Sequence, residues 1–189
     1  MGISTLDLEG IANHKGSLLG SIPNKKQPSQ KLFESLIYLN LKNLLIKNPV
    51  FIEAESSKVG NLYLPKAILN GIKNQPMIII EANIKERIKF LVNDYKQYVI
   101  QENSFKDLFI HAERKIGFKA ISEWKKLYTK KNWKELALLL ITEYYDPMYS
   151  HNFKITKNKV LKSYKLSKLD TKHINIFCNK LKNDFKILT

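Results

Sequence analysis

The chain has 189 residues, enough for one substantial hydrophobic core or for a core with a small appendage. Its 32 Lys and Arg residues outnumber 17 Asp and Glu residues, which gives a net charge of +15, and 44% of the residues are hydrophobic. No apolar run approaches the ~20 residues that span a bilayer, no secretory signal opens the sequence, and the one cysteine, Cys178, excludes an internal disulfide. We therefore expect a cytoplasmic protein without a membrane partner.

The basic excess is unevenly distributed along the chain. Residues 1–100 carry a net charge of +5, and residues 101–189 carry a net charge of +10. A lysine-rich excess of this size suits a polyanionic partner such as RNA. AT-rich coding DNA, which raises the content of Lys, Asn and Ile together, explains it equally well, because composition does not show whether the lysines share a face.

Strand and helix signals alternate over the first hundred residues. Apolar runs predict strands near residues 3–8, 50–54 and 77–81, with helical spacing between them. This alternation predicts a parallel sheet with flanking helices and the three strands side by side. From residue 104 the pattern predicts consecutive helices, a short strand over 159–166 and a terminal helix from about Asp170. The expected organisation is thus an α/β domain over residues 1–100 and a mainly helical, basic region over 101–189.

Polar residues cluster where two of the predicted strands end. Glu53, Glu55 and Ser56 follow the apolar run at 50–52, and a turn-rich polar segment, 7–17, follows the first strand. In open α/β sheets the ligand crevice lies beyond the carboxyl ends of the strands. The pattern therefore predicts a ligand site here; the alternative is that Glu53 and Glu55 are solvated loop charges.

Four segments together resemble one known family. They read D-L-E-G-I-A-N-H-K-G-S (7–17), Q-P-S-Q-K-L-F-E (27–34), V-F-I-E-A-E-S-S-K-V-G (50–60) and L-I-T-E-Y-Y-D-P-M-Y (140–149). In this order they are similar to the P-loop half of tRNA 2-selenouridine synthases. The resemblance implies a partial P-loop NTPase-like sheet and a part in converting wobble 2-thiouridine of tRNA to 2-selenouridine through an S-geranyl intermediate. It also implies selenophosphate and geranyl diphosphate as co-substrates, tRNA as the partner, and no covalently bound cofactor.

The family pattern also has elements that these 189 residues lack. They contain neither the Walker A pattern G-x-x-x-x-G-K-[ST] nor the rhodanese domain with its catalytic cysteine. We therefore expect a fragment that is inactive alone and that depends on a separate rhodanese and Walker A polypeptide. The alternative is a non-catalytic, basic module that binds tRNA. A nucleotide kinase relative is a weaker reading, because no Walker A lysine is present to hold a nucleotide.

The resemblance further implies a set of site residues. The expected catalytic residues are Glu53 and Glu55, at the Walker B position, and His14, an acid–base candidate. The expected substrate- and phosphate-binding residues are polar or allow close backbone approach: Asp7, Glu9, Asn13, Lys15, Gly16, Ser17, Gln27, Gln30, Ser56 and Arg87. His14 is alternatively a satisfied turn histidine, and Arg87 a member of a surface ion pair with a nearby glutamate. We expect no metal site, because the His and Cys residues lack ligand spacing, and Cys178 falls on an apolar helix stripe.

Overall fold

The computed structural model describes residues 3–44, 49–54, 57–95, 104–149 and 160–186. Over residues 3–75 the elements in chain order are β1 (Thr5–Leu6), α1 (Leu8–Ala12), α2 (Gln30–Asn43), β2 (Phe51–Ile52), β3 (Lys58–Val59), β4 (Leu62–Tyr63) and α3 (Lys66–Asn74). They are followed by β5 (Met77–Ala82), α4 (Ile84–Asp94), α5 (Ser104–Ile116), α6 (Phe118–Thr129), α7 (Trp133–Leu139), a π-helical segment (Leu140–Tyr145), β6 (Val160–Leu166) and α8 (Thr171–Asp184).

The chain forms two compact units, and their boundary differs from the one predicted at residue 100. The first unit comprises residues 1–75 and 170–189, and the second comprises residues 76–169. In the second unit β5 pairs in parallel with β6, and α4 packs against α7. The segment 77–94, expected in the first domain, therefore belongs with the helices that follow it, and α8 belongs to the first unit.

The predicted α/β fold class is confirmed, but one strand has a different partner. β1 and β2 form a two-stranded parallel sheet with the pairs Thr5↔Phe51 and Leu6↔Ile52. The expectation that the strand near 77–81 lies beside them is wrong, because that strand pairs with β6 in a sheet of its own. Short apolar strands are interchangeable as partners, so strand–helix alternation does not specify which of them pair. An antiparallel hairpin of β3 and β4, not predicted, turns at Gly60 with a φ of +60°.

Side-chain caps begin helices α4 and α8. Asn83 Oδ1 accepts a hydrogen bond from the Glu86 N–H at 2.9 Å before α4. Asp170 Oδ1 accepts one from the His173 N–H at 2.9 Å before α8. Gly117, with a φ of +84°, separates α5 from α6. The two caps satisfy backbone N–H groups that the start of a helix leaves unpaired, and Gly117 separates one helix from the next. Each of these boundaries therefore depends on residues that are close together in the sequence.

Each unit has its own hydrophobic core. In the first unit the core joins α1, α2 and the β3–β4 hairpin, and its buried members are Leu6, Leu8, Ala12, Phe33, Ile37, Val59, Leu62 and Leu64. In the second unit the rings of Phe105 and Tyr128 lie 4.9 Å apart. The buried indole of Trp124 donates from Nε1 to Glu143 Oε2 at 3.0 Å, so its polar atom is satisfied. Cys178 is half-buried on α8. Among the described helices, none combines the length and apolarity needed to cross a bilayer.

Candidate functional site

The carboxylates of Asp7 and Glu53 meet at the carboxyl ends of β1 and β2. Because the two strands are paired in parallel, the residues that follow them emerge at the same edge. Glu53 Oε2 accepts a hydrogen bond from the Leu8 N–H at 2.8 Å, and Glu53 Oε1 accepts one from the Glu9 N–H at 3.5 Å. Asp7 Oδ1 accepts from the Gly10 N–H at 2.7 Å. Both carboxylates therefore cap the first turn of α1, as the strand-end pattern predicted that they would lie together.

The surroundings of Glu53 favour its protonated form. Burial raises the pKa of Glu53 first of all, and the neighbouring carboxylate of Asp7 raises it further. The hydrogen bond from the Leu8 N–H acts in the opposite direction, because it stabilises the charged form. The net shift is upward, so this pair is a place where a proton is held more tightly than on a solvated carboxylate.

His14 lies buried at the end of α1, in a space that two glycines leave open. Its side chain is 7% exposed, and its Nδ1 accepts a hydrogen bond from the Gly16 N–H at 3.1 Å. A Cβ atom at Gly20 would lie 2.7 Å from His14 Cε1, and one at Gly60 would lie 2.8 Å from His14 Cδ2. Because Nδ1 is an acceptor, the neutral ring carries its proton on Nε2. Burial lowers the pKa of His14, which keeps the ring neutral.

The loop over residues 15–20 uses its backbone donors internally. The Lys15 N–H donates to the Gly20 carbonyl at 2.8 Å, the Ser17 N–H to the Lys15 carbonyl at 2.7 Å, and the Gly20 N–H to the Ser17 carbonyl at 2.8 Å. The Gly16 N–H is donated to His14. These four N–H groups therefore do not point together at one ligand. In this they differ from the N–H groups of a phosphate-binding nest. A phosphate at this loop would rely on the side chains of Lys15 and Ser17.

Gln27 joins α1 to the β3–β4 hairpin. Its Nε2 donates to the carbonyls of Ala12 at 3.3 Å and Val59 at 3.0 Å. Its Oε1 accepts from the Asn61 N–H at 2.8 Å. The amide thus makes three hydrogen bonds to backbone groups from two separate elements, which is a structural use of a residue expected to contact substrate.

The side-chain amide of Gln30 pairs with the backbone of Tyr63 in β4, as the backbone of a neighbouring strand would. Its Oε1 accepts from the Tyr63 N–H at 2.9 Å, and its Nε2 donates to the Tyr63 carbonyl at 2.8 Å. The same Nε2 donates to Glu34 Oε1 at 2.7 Å. Asn13, in the left-handed conformation that ends α1, donates from Nδ2 to the Lys26 carbonyl at 3.2 Å. These polar residues hold the first unit together around α1.

Arg87 belongs to the second unit, whereas the other expected site residues that the structure describes belong to the first. Its Nη1 and Nη2 donate to Oδ2 and Oδ1 of Asp146 at 2.8 and 2.6 Å. This hydrogen bonding raises the pKa of Arg87. An ion pair was the alternative expected for Arg87, although with a glutamate as its partner. Glu55 and Ser56 lie outside the described residues.

Gly20, Gly60 and Asn61 shape the surroundings of His14 and Gln27, and none of the three was among the predicted site residues. The glycines carried a signal, since glycine allows close approach of neighbouring groups, but nothing local showed what would approach. Within the described part of the chain no group of three or more His, Cys, Asp or Glu side chains is arranged to hold a metal ion.

Comparison with protein families shows which family this chain belongs to. Residues 3–112 match the tRNA 2-selenouridine synthase AAA domain. The chain belongs to this family. The matched segment contains β1, α1 and β2, and therefore both carboxylates of the Asp7–Glu53 pair, and it confirms the resemblance seen in the sequence motifs.

Curated tRNA 2-selenouridine synthases share modest identity with this family member. The protein of Alcanivorax borkumensis is 38% identical over 101 residues, which cover 52% of this chain and 28% of the relative. The protein of a Sulfurovum species is 26% identical over 189 aligned residues, covering 84% of this chain and 50% of the relative. That of Marinobacter nauticus is 25% identical, with 82% and 50% covered. The chain thus spans about half the length or less of these relatives. No solved structure matches it.

Proposed function

We propose that this chain is the part of a tRNA 2-selenouridine synthase that handles phosphate groups during modification of the tRNA wobble base in the cytoplasm. The observation that carries this proposal is the Asp7–Glu53 carboxylate pair, at the ends of two paired parallel strands inside the segment that matches the family. Carboxylates at that position orient water, metal or proton donors beside a phosphate in P-loop enzymes.

The proposed reaction has two steps. In the first step the sulfur of 2-thiouridine attacks the geranyl carbon of geranyl diphosphate, and the C–O bond breaks to release diphosphate and a proton. In the second step the selenium of selenophosphate attacks the base carbon that bears the geranylated sulfur, geranylthiol leaves, and water cleaves the Se–P bond to release phosphate and 2-selenouridine. Negative charge grows on the leaving diphosphate in the first step, and a preorganised cation there lowers the barrier. Lys15 is the proposed cation, with the Ser17 hydroxyl as a hydrogen-bond donor beside it. Because four of the loop's N–H groups, those of Lys15, Gly16, Ser17 and Gly20, are used internally, we assign this contact to the side chains.

Other residues of the first unit have positioning roles in this proposal. Glu53 and Asp7 fix the N-terminus of α1, and α1 ends in the loop that carries Lys15. His14 has Nε2–H as its proton-bearing atom and is therefore a neutral hydrogen-bond donor, since its Nδ1 is occupied. Glu55 and Ser56 are proposed to act with Glu53 because they come two and three residues after it in the family motif.

Arg87 is also a proposed phosphate ligand, and its ion pair with Asp146 limits which of its N–H groups can contact the phosphate. A guanidinium has five N–H donors, and the two nitrogens bonded to Asp146 each use one. The remaining donors leave room for a phosphate oxygen without loss of the ion pair. Asp146 would then hold the guanidinium plane in one orientation.

The proposal includes the dependence of these 189 residues on a rhodanese and Walker A segment. The 189 residues show no Walker A pattern and no rhodanese cysteine, and Cys178 sits half-buried on α8. The purified chain, incubated with 2-thiouridine tRNA, geranyl diphosphate and selenophosphate, is expected to give no modified nucleoside by mass spectrometry. A separately expressed rhodanese and Walker A segment is expected to restore the product. Turnover by the chain alone would contradict this part of the proposal.

The restored system tests the individual residues. Glu53→Gln and His14→Ala are expected to abolish the recovered activity, whereas Glu81→Gln, at an exposed carboxylate at the end of β5, is the matched control. Circular dichroism of each variant separates loss of activity from loss of folding. Full activity of a folded Glu53→Gln variant would remove the carboxylate pair from the mechanism.

A second candidate function is a tRNA-binding module without chemistry. It is favoured by the net charge of +15 and by the exposure of many described lysines. Salt-dependent tRNA binding together with no turnover, even after addition of the rhodanese and Walker A segment, is the result that supports this function over the first.

A further inference from the structure

Helix α6 in the second unit has two very different faces. One face carries Ile121 and Trp124, both fully buried. Another face lines an open, shallow groove on the surface, formed by Phe118, Ser122, Lys125, Lys126, Thr129 and Lys130. We call these six residues the α6 face. They lie at helical spacings of three, four and seven residues, so they form one continuous stripe.

The ring of Phe118 is unusually accessible for a large apolar side chain. Its exposed fraction is 71%, higher than that of the other exposed large hydrophobic residues in the described chain. Phe118 is the first residue of α6 and follows Gly117, whose positive φ separates the helix from α5. The side chain is therefore placed at the first turn of a helix and is accessible to a partner.

Positive charge follows the ring along the same stripe. Lys125, Lys126 and Lys130 are exposed, and the rise from Phe118 to Lys130 is about 18 Å along the helix axis. The Ser122 hydroxyl has no hydrogen-bond partner within the described chain, and Thr129 Oγ1 donates to the Lys125 carbonyl at 2.9 Å. Over residues 118–134 the sequence has six lysines and one acidic residue, Glu123. The charge of this surface is thus complementary to a polyanion.

An open aromatic ring followed by lysines and hydroxyls is the combination that binds unpaired nucleotides. Aromatic side chains stack on bases whatever their identity, and lysines neutralise the phosphates beside them. Protein interfaces, by contrast, are depleted in lysine. Recognition of RNA by side chains is directed mostly to single-stranded loops, since the bases of a duplex are stacked inside it.

We propose that the α6 face binds a single-stranded loop of tRNA, with Phe118 stacked on one unpaired base and the three lysines in contact with phosphates. This surface lies outside residues 3–112, the segment that matches the family. The choice of tRNA rests on the proposed function, whereas the preference for unpaired RNA rests on the α6 face alone.

The test is binding of the full chain to two fluorescein-labelled RNAs, a stem–loop and a blunt duplex of equal length, measured by fluorescence anisotropy over a range of salt concentrations. We expect the stem–loop to bind more tightly. Phe118→Ala should weaken stem–loop binding by about tenfold and leave the salt dependence unchanged, whereas Phe118→Trp should retain affinity. Changing Lys125, Lys126 and Lys130 together to Gln should make the negative slope of log K against log salt shallower by about two.

The matched control removes the same charge elsewhere in the second unit. Lys85, Lys89 and Lys106 are exposed on α4 and α5, and their triple change to Gln should weaken binding much less. Equal losses in the two triple variants, an inert Phe118→Ala change, or equal affinity for the duplex would each overturn the proposal. Binding to anionic phospholipid vesicles that depends on Phe118, with none to the stem–loop, would assign the face to a membrane instead.

These outcomes are separate from those for the proposed function, because binding is measured without turnover. A stem–loop preference that depends on Phe118 upholds the α6 face even if the restored system makes no 2-selenouridine. Conversely, turnover with a folded Phe118→Ala variant that also binds RNA normally overturns the α6 face and leaves the proposed function intact.

Discussion

The guanidinium of Arg87 and the carboxylate of Asp146, 59 residues apart in the chain, form a two-point ion pair. Arg87 lies on α4, and Asp146 follows the π-helical segment, so the pair joins two elements of the second unit. Planar pairing of this kind is stronger and more directional than a single contact from lysine. The side chains of Arg87 and Asp146 are 34% and 46% exposed. Screening by solvent therefore reduces the stabilisation that this ion pair provides.

We expect Arg87→Lys to lower the free energy of unfolding by about 1 kcal/mol, because lysine cannot keep both contacts. A double-mutant cycle with Asp146→Asn, followed by urea denaturation, measures the coupling. Arg114→Lys, at an exposed arginine on α5, is the matched control and should change stability by less than about 0.5 kcal/mol. A coupling energy of zero would show that the pair has no part in stability.

Two glycines of the first unit should respond in opposite directions to the same substitution. Gly60→Ala introduces a Cβ 2.5 Å from Gln27 Oε1 at a φ of +60°, so we expect a loss of about 2 kcal/mol or more. Gly71→Ala lies inside α3 with nothing within 4 Å of the new Cβ, and it should gain about 0.5–1 kcal/mol. Thermal unfolding of both variants checks the signs. A neutral Gly60→Ala variant would contradict the packing around His14.

Gln27→Glu should be destabilising despite its nearly unchanged shape. The substitution replaces an amide that donates to two carbonyls with a carboxylate oxygen, and we expect a loss of about 1–3 kcal/mol at neutral pH. The loss should shrink at acid pH, because a protonated carboxyl can donate again. Gln75→Glu, at an exposed residue after α3, should show neither effect. Chemical denaturation at several pH values makes the measurement.

Glu53 should make the first unit less stable as the pH rises above about 4.5. The unfolded chain releases this proton near the ordinary pKa of 4.5, while the folded chain, with its raised pKa, still holds it. The free energy of unfolding therefore falls with rising pH until the folded pKa is passed. Glu53→Gln should remove the fall in the free energy of unfolding over this pH range. Asp7→Asn should shorten the pH range over which it falls, because the Asp7 carboxylate is one cause of the raised pKa of Glu53. An unchanged profile in Glu53→Gln would contradict the shift.

His14 should act with the opposite sign. Its pKa is lowered by burial, so the folded protein favours the neutral ring, and stability is lost as the pH falls from about 6.5 to the folded pKa. His14→Asn places an oxygen where Nδ1 accepts from the Gly16 N–H and removes the titration. We expect this variant to lose the pH dependence in that range while remaining folded. His173→Asn, at a half-buried ring on α8, controls for loss of any one histidine.

Local signals were sufficient for several elements of this fold, although not for α1 or the β3–β4 hairpin. The cap at Asn83, the cap at Asp170 and the break at Gly117 each depend on residues within one helical turn. The positions of β1 and β2 and the carboxylates at their ends could also be predicted, because an apolar run followed by acidic residues is a short-range pattern. The family relationship was equally readable from four short motifs.

Non-local pairing decided the rest. Only the folded chain shows that β5 takes β6 as its partner, because several apolar strands were equally suitable by composition. The same holds for the hydrogen bonds of Gln27 and Gln30. An amide expected to meet a substrate is indistinguishable in sequence from one that satisfies backbone groups 32 or 33 residues away.

By itself the sequence determined the class of fold, several helix boundaries, the basic charge and the family, since each depends on neighbouring residues or on composition. The tertiary structure alone decided that Glu53 caps α1, that glycines enclose His14, and that Arg87 is paired with Asp146. Those arrangements depend on which distant segments exclude water together, and burial of that kind changes the pKa of Glu53 and His14 in ways that no local pattern encodes.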